Sequence, residues 1–459
     1  MSITDTQFTQ WLATDGHNRR VLIELDHAAG TEYIADRRHI ARPAGQPRRI
    51  YEGALLSETG IESRLDNRPA PADIEIVNAG YKNHWLDLDF RGYEVRVYLG
   101  DITWSIDNFR LVQRAVNAGV SAIDSDLIRL DIRDGHAVFD SPVSVGTLPD
   151  GSPNPLSLGS PFNVPAAEVQ ANVHRYRVSG VSITSAAPRV NGSVASMIAE
   201  YATGDFRLTS APLGNLCADV VEPHATAEQI ISWVAAEYGV SVNAANLAVL
   251  PSYPLGLHYP GDVTGRQILD DVTASIGGYW RRNPLGELEC YPLELPASTP
   301  DFILMPGDIV DRGVTLQRRE AAASNLVINY AKNFAVTDRD GLAGILENNP
   351  SLSTRLTTEW LAASAATGST NPTAEPITRD TYLTQAADAN TEAARRAVLR
   401  SQERSVWAVD CRLAPAQITI GDTVQIRYPA FGFETGRNTC VISVRPSWSR
   451  NQVQLEVWL

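Results

Sequence analysis

The 459-residue chain is short of several residue types: four cysteines, three methionines and only two lysines, Lys82 and Lys332. The cysteines, Cys217, Cys290, Cys411 and Cys440, lie far apart, and no C-x-x-C pair occurs. That spacing excludes zinc knuckles and thioredoxin-type redox motifs, and so few thiols in so long a chain make no disulfide framework. Four free thiols, packed as small apolar side chains, are expected. No apolar run approaches the ~20 residues needed to span a bilayer. The N-terminal stretch MSITDTQFTQWLATDGHNRR has no basic segment followed by an apolar one, so no secretory signal is visible and folding in a cytosol is expected. Catalytic signatures are missing too: no G-x-S-x-G, H-E-x-x-H, G-x-x-x-x-G-K-[ST] or G-x-G-x-x-G occurs.

The charge is of one prevailing sign. A net charge of −14 argues against a protein that grips nucleic acid by neutralising phosphates. An acidic surface repels DNA, which would suit a protein that lets DNA pass without sticking, but acidic proteins are common and the charge by itself decides nothing. The basic residues are nearly all arginine, a bias that codon usage explains as well as interface chemistry does. Hydrophobic content of 44% and charged content of 20% are those of a globular protein. The length accommodates about three domains of roughly 150 residues each.

Period-two patterning dominates both ends. In RVLIELDH, Val21, Ile23 and Leu25 recur at every second position, and LIRLDIRDG (127–135) repeats the pattern. HWLDLDFRGYEVRVYLG reads as a hairpin: Leu86, Leu88 and Phe90, a turn at Arg91-Gly92, then Val95, Val97 and Leu99. Many short alternating strands indicate a barrel or sandwich. The Pro/Gly/Ser-rich run LPDGSPNPLSLGS (148–160) reads as a boundary. Beyond it, a small β segment leads to two helices. The first begins at the capping box Thr226-x-x-Gln229 and ends near Gly239; the second carries Ile268, Leu269, Val272 and Ile276 and stops at Gly277-Gly278. GYWRRNPLGELECYPLEL is a hairpin turning at Pro284-Leu285-Gly286. A further β unit starts at LVINYA (326–331), is interrupted by a polar insertion at about 338–376, and continues in an Ala-rich helix at about 378–405. Four strand-like runs close the chain. The expected class is mainly β with an α+β insertion, and the expected divisions are residues 1–147, 148–225, 226–300 and 301–459.

Candidate chemistry is sparse. Asp87 and Asp89 share one face of the expected hairpin strand, roughly 7 Å apart, a carboxylate pairing of the kind glycoside hydrolases use at about 5–10 Å. The solvated polar face of an amphipathic strand gives the same pattern, and nothing nearby forms an apolar pocket that would raise one pKa. His17, His27 and His39 are the closest histidine trio, with no regular element to bring them together. Asp338-Arg339-Asp340-Gly341 resembles the start of a calcium loop, but Leu342 to Ile345 supply no side-chain oxygen, so a turn is expected. Trp104, Trp280, Trp407, Trp448 and Trp458 sit in or beside expected strands and are read as core, with an exposed subunit anchor as the alternative for Trp448. In GDFRLTSAPLGNLCADV (204–220), alternation points Cys217 away from Leu216 and Ala218 and so makes its burial doubtful; no cation nearby favours its thiolate, and Asp219 and Glu222 oppose one. No residue is assigned a catalytic, cofactor-binding or metal-binding role.

Four separated segments together resemble one family. They are YEVRVYLGDITWSIDNFRLVQRAVNAG, PLSLGSPFNVPAAEVQANVHRYRVSG, GDFRLTSAPLGNLCADV, and ITIGDTVQIRYPAFGFETGRNTCVISVRPSWSRNQVQLEVW. In this order they are similar to the tail or baseplate hub proteins of tailed bacteriophages, although the 338–376 insertion is not covered. The resemblance implies two β-barrel domains flanking a smaller α+β region, with the Ala-rich helix near the C-terminal barrel. It implies a homotrimeric ring at the virion tail tip, assembled in the host bacterial cytoplasm. Such a ring would join the tail tube or distal tail protein to a central fibre or spike protein, and would line the channel for DNA and the tape-measure protein without specific DNA binding. It implies no cofactor. Two alternatives stay open: a distal tail or tip-attachment protein binding a fibre or host glycan, and a tail-associated cell-wall or polysaccharide hydrolase.

Overall fold

The computed structural model describes residues 3–14, 18–42, 47–58, 60–65, 72–78, 80–133, 135–344, 349–412 and 418–459. Near the N-terminus seven strands form an antiparallel sheet in the order Gly30–Ala35, Arg19–His27, Glu94–Asp101, Arg110–Ala122, Leu127–Arg133, Ala72–Val77, Leu55–Glu58. Glu52 bridges Ile34 in parallel while Leu55 pairs with Ile76 antiparallel, so one short stretch of chain touches both edges of the sheet. Alternate residues, among them Ile23, Leu25, Ile74, Val97 and Leu130, fill one core with Trp85 and Phe90. The strand Arg19–His27 is buried on its other face as well. There Leu22 packs with Tyr51 and Phe109, and Glu24 is neutralised by Arg49 at 3.0 Å and Arg96 at 3.1 Å.

The last sheet runs Phe302–Leu304, Thr423–Ile426, Arg437–Ser447, Gln452–Trp458, Arg404–Cys411, Ile309–Glu320. Again one stretch of chain reaches both edges: Phe302–Leu304 lies parallel to Thr423–Ile426, and Ile309–Glu320, which follows at once, lies antiparallel to Arg404–Cys411. Val409, Val424, Ile426, Phe433, Leu455 and Val457 form its core.

The two sheets share a strand order. In the first, the consecutive strands Ala72–Val77, Glu94–Asp101, Arg110–Ala122 and Leu127–Arg133 lie side by side as first, fourth, third, second. In the last, Arg404–Cys411, Thr423–Ile426, Arg437–Ser447 and Gln452–Trp458 lie in that same order, with every pairing antiparallel in both. This is a Greek-key arrangement. The edge-joining stretch sits antiparallel to the first strand each time. The first sheet differs by the hairpin Arg19–His27/Gly30–Ala35, inserted between Glu94–Asp101 and the joining stretch.

Apart from the two sheets there are two smaller units. Two four-stranded sheets enclose Tyr176, Val178, Phe206, Ala218 and Val220. Beside them is a core of helices and short strands around Trp280. The α-helices among the described residues are α1 (Asp5–Ala13), α2 (Ala227–Glu237), α3 (Ala244–Leu247), α4 (Gly265–Ser275), α5 (Pro350–Thr357) and α6 (Ala386–Leu399). The capping box Thr226/Gln229 opens α2, and Gly277 at φ 63° follows α4, as the sequence indicates. The unpaired carbonyls after α4 are taken by α6: Arg396 donates to Ala274 and Ser275, and Arg395 to Ile276 and Gly277. Both guanidinium groups also bind the carboxylate of Glu392, which is wholly buried.

Several sequence expectations are corrected. The hairpin at 84–99 has only its second arm; Asn83–Asp87 is a 3-10 turn. Both neighbouring positions beside Glu94–Asp101 are taken by Arg19–His27 and Arg110–Ala122, and Trp85 is drawn into the core instead. The boundary run at 148–160 contains a fully buried strand, Leu156–Gly159, paired to Gly256–Tyr259. The strand at 326–331 pairs with Leu361–Ala366 and Glu375–Asp380 rather than with the last sheet. The polar insertion therefore supplies α5 and a strand. The Ala-rich helix is shorter than 378–405, because Glu375–Asp380 is drawn into parallel pairing and Arg404 already starts a strand. Helix α1, with its capping box Thr4/Gln7, is an addition to the β structure expected of residues 1–147.

Replacing Glu392 with Gln leaves two mostly buried guanidinium groups without their counter-charge, and is expected to cost about 3–5 kcal/mol. Urea unfolding followed by tryptophan fluorescence would measure the loss.

Candidate functional site at the seam of the terminal sheets

The residues that sequence patterning offers for chemistry are not assembled into a site. Asp87 ends the 3-10 turn and Asp89 accepts a hydrogen bond from the Arg91 amide at 3.3 Å. Both are exposed, and they do not share a strand face. His17 lies outside the described residues. His27 packs on Phe90 and His39 on Phe109, with ring centroids 5.2 and 5.4 Å apart. Burial, and Arg20 beside it, hold the His39 pKa below the usual value for imidazole. Asp338–Gly341 is an exposed turn, and among the described residues no three His, Cys, Asp or Glu side chains converge as a metal site would require.

All four cysteines are free and buried, as their scatter implies. Cys217 corrects the alternation argument. Its strand, Leu216–Val221, is flanked by Val164–Pro165 and Ser185–Val190 and is covered on both faces. Burial pushes the thiols of Cys217 and Cys440 up to about 11 and that of Cys290 to about 12, far from a reactive thiolate.

One arrangement carries no sequence signal. Ser157 Oγ lies 3.0 Å from His258 Nδ1, where the strands Leu156–Gly159 and Gly256–Tyr259 pair. Its resemblance to a nucleophile–base pair ends at access: Ser157 is wholly buried and donates to the Val178 carbonyl at 2.7 Å. Burial first, and Lys332 second, push the His258 pKa down to about 4. The two lysines of the chain both lie against aromatic rings. Lys82 Nζ sits 4.4 Å from the Trp85 ring, and Lys332 Nζ sits 5.1–5.5 Å from Phe334, Trp360 and Tyr382.

The most developed polar assembly joins the first sheet to the last. Ser63 and Arg64 add a short strand to the last sheet beside Val444 and Ser443. Backbone bonds extend this pairing on both sides, from Gly60 to the Pro446 carbonyl at 3.1 Å and from Leu65 to that of Ile442 at 3.0 Å. In return, Trp448 leaves the last sheet and enters the core of the first. Its indole donates to Gln113 Oε1 at 2.8 Å, while the amides of Trp448 and Ser449 both donate to the carboxylate of Glu58. Trp448 is thus core, and the surface it buries belongs to the same chain. Burial raises the Glu58 pKa above its usual value, and the two amides hold it down only in part.

Behind this seam is a cleft of about 1180 Å³, bordered by Gln113, Trp448, Ile420 and the hairpin residues Arg281, Glu289 and Tyr291. Burial opposes the charge on Glu289, but Arg281 at 2.9 Å and hydrogen bonds from Asn243, Asn283 and Tyr291 outweigh it and keep its pKa low. Nothing here pairs a nucleophile with a base. The arrangement holds two β units side by side. Sequence patterning picks out Trp448 but neither Glu58 nor Gln113, whose roles come from pairing across more than 300 residues.

No family model matches the chain, and no curated protein matches it. Among solved structures, the chain is similar to a tail protein from Neisseria meningitidis, at 11% identity over 96% of this chain and 97% of that one, TM-score 0.45. It is similar to a 43 kDa tail protein of prophage MuSo2 from Shewanella oneidensis, at 12% identity over 96% and 98%, TM-score 0.46. A prophage tail protein from Listeria monocytogenes matches at 10% identity over 91% and 93%, TM-score 0.45.

Removing the indole in Trp448→Ala is expected to cost about 3–5 kcal/mol, read as a lower urea midpoint. Glu58, with its raised folded-state pKa, contributes stability that falls as pH rises from about 4.5 through the folded value, because the folded state holds the proton longer. Glu58→Gln should therefore show a smaller loss of stability than the wild type between pH about 4.5 and neutrality. Parallel urea unfolding at stepped pH would measure the difference.

Proposed function

We propose that this chain is a structural virion protein, the hub of a phage tail tip or baseplate. In this reading the first and last sheets are two β-barrels of one kind, residues 1–147 and 301–459, with residues 148–225 and 226–300 between them. The observation that carries it is the strand order common to the two sheets. Two alike units fixed side by side in one subunit let a trimer present six similar positions, which is what a part joining a six-fold tube to a three-fold fibre or spike must do.

Further features support the reading. The seam through Ser63–Arg64 and Trp448 gives each subunit the rigidity a ring segment needs. The net charge of −14 suits a channel past which DNA and a tape-measure protein slide without sticking. The four sequence segments that resemble tail hubs include strands of both sheets. The chain acts on this reading without catalysis or cofactor, its partners being a distal tail or tube protein, a fibre or spike protein and the tape-measure protein, at the virion tail tip. The hydrolase alternative loses its carboxylate pair, since Asp87 and Asp89 do not share a strand face.

Imaging of the isolated protein, alone or with its neighbouring tail proteins, should give a three-fold ring with six similar lobes. A stable monomer in both preparations would sink the hub. Release of sugars or muropeptides by the purified chain would transfer it to the hydrolases.

A further inference from the structure

The strands His39–Ala41 and Arg49–Tyr51 form a separate two-stranded ribbon beside the first sheet. One face of the ribbon is seated: His39, Ala41 and Tyr51 are buried, and Arg49 binds Glu24. On the other face Ile40 and Ile50 stand directly opposite each other, 50% and 52% exposed. Arg38 and Arg42 flank the first strand and Arg48 precedes the second; all three are exposed, as is Arg37. Among the described residues none of these four arginines makes an ion pair. Residues 37–50 hold five arginines and no carboxylate, so the rest of the chain is more acidic than the −14 of the whole.

We infer that the outer face of this ribbon is a contact surface for a second copy of the same chain. An isoleucine pair framed by arginines has the composition of a contact centre, where apolar side chains and Arg are favoured and Lys is not. The acidic remainder of a second copy supplies the complementary charge. A surface of matching character is present on the chain itself. The turn at residues 123–126 exposes Ile123 beside Asp124 and Asp126, all three open to solvent. Duplex nucleic acid would satisfy the arginines through its phosphates but offers nothing to two isoleucines at the centre of the face, and the acidic body of the protein repels it. The inference names the segment through which copies meet, and it stands on the ribbon itself rather than on the tail-hub reading.

The test is sedimentation velocity on the full chain at about 0.1 M and about 1 M salt, where the screening length falls from ~10 to ~3 Å. Two variants are compared with the wild type: Ile40→Ser with Ile50→Ser, and Arg38→Glu with Arg42→Glu and Arg48→Glu. The wild type should self-associate at low salt and do so less at high salt. Each variant should weaken association by about tenfold or more, with circular dichroism unchanged. If the arginine variant fails to fold, the isoleucine variant and the salt series decide. The inference is overturned if the wild type stays monomeric up to roughly 100 μM, or if both variants associate as the wild type does. Ribbon-dependent binding of a short DNA duplex without self-association would also overturn it, assigning the face to nucleic acid. A three-fold ring retained by both variants would end this inference and leave the hub standing.

Discussion

The arrangement of the two ends of the chain depends on one buried carboxylate. Glu58 sits at the end of the last strand of the first sheet and receives the amides of Trp448 and Ser449, at the turn before the final strand of the last sheet. A turn that enters another unit's core leaves its amides without ladder partners, and a buried unpaired amide costs about as much as a lost hydrogen bond. One acidic side chain with two acceptor oxygens answers both. Because these amides are met, the indole can be delivered into the first core, and Ser63–Arg64 can lie along Val444. Desolvation of Glu58 is the cost of this joint, which is why its pKa is raised even with two donors on it.

The middle of the molecule solves a similar problem with opposite charges. Helix α4 ends against α6, where its last carbonyls are only partly open to water. Arg395 and Arg396 on α6 reach them, and Glu392 one turn away balances the pair. A carboxylate for stray amides in one place, and guanidinium groups for stray carbonyls in the other, hold together elements distant in sequence.

Legibility in the sequence followed the range of the forces involved. Elements set by local rules were readable: the capping box at Thr226, the glycine stop at Gly277, the hairpin at Pro284–Gly286, and the four closing strands with their alternation. Elements decided by tertiary competition were misread. The alternating run at 86–90 had the pattern of a strand, but both pairing positions beside Glu94–Asp101 were occupied. The Ala-rich stretch had the propensity of a long helix, but its ends were drawn into sheets. The common strand order was invisible, because it resides in which strands pair, and pairing leaves no short motif. The glutamate and glutamine at the seam were invisible for the same reason. Asp87, Asp89 and the histidines lack supporting context in the sequence, and among the described residues Asp87, Asp89, His27 and His39 join no metal cluster.

The extra hairpin in the first sheet has a consequence for symmetry. It is what distinguishes that sheet's strand order from the last one, and the arginine-bearing ribbon follows it directly in the chain. Two units that share a strand order therefore differ in surface: one carries a ribbon with two exposed isoleucines, and its counterpart has no equivalent ribbon among the described residues. A partner can therefore tell one unit from the other, although their strand orders agree.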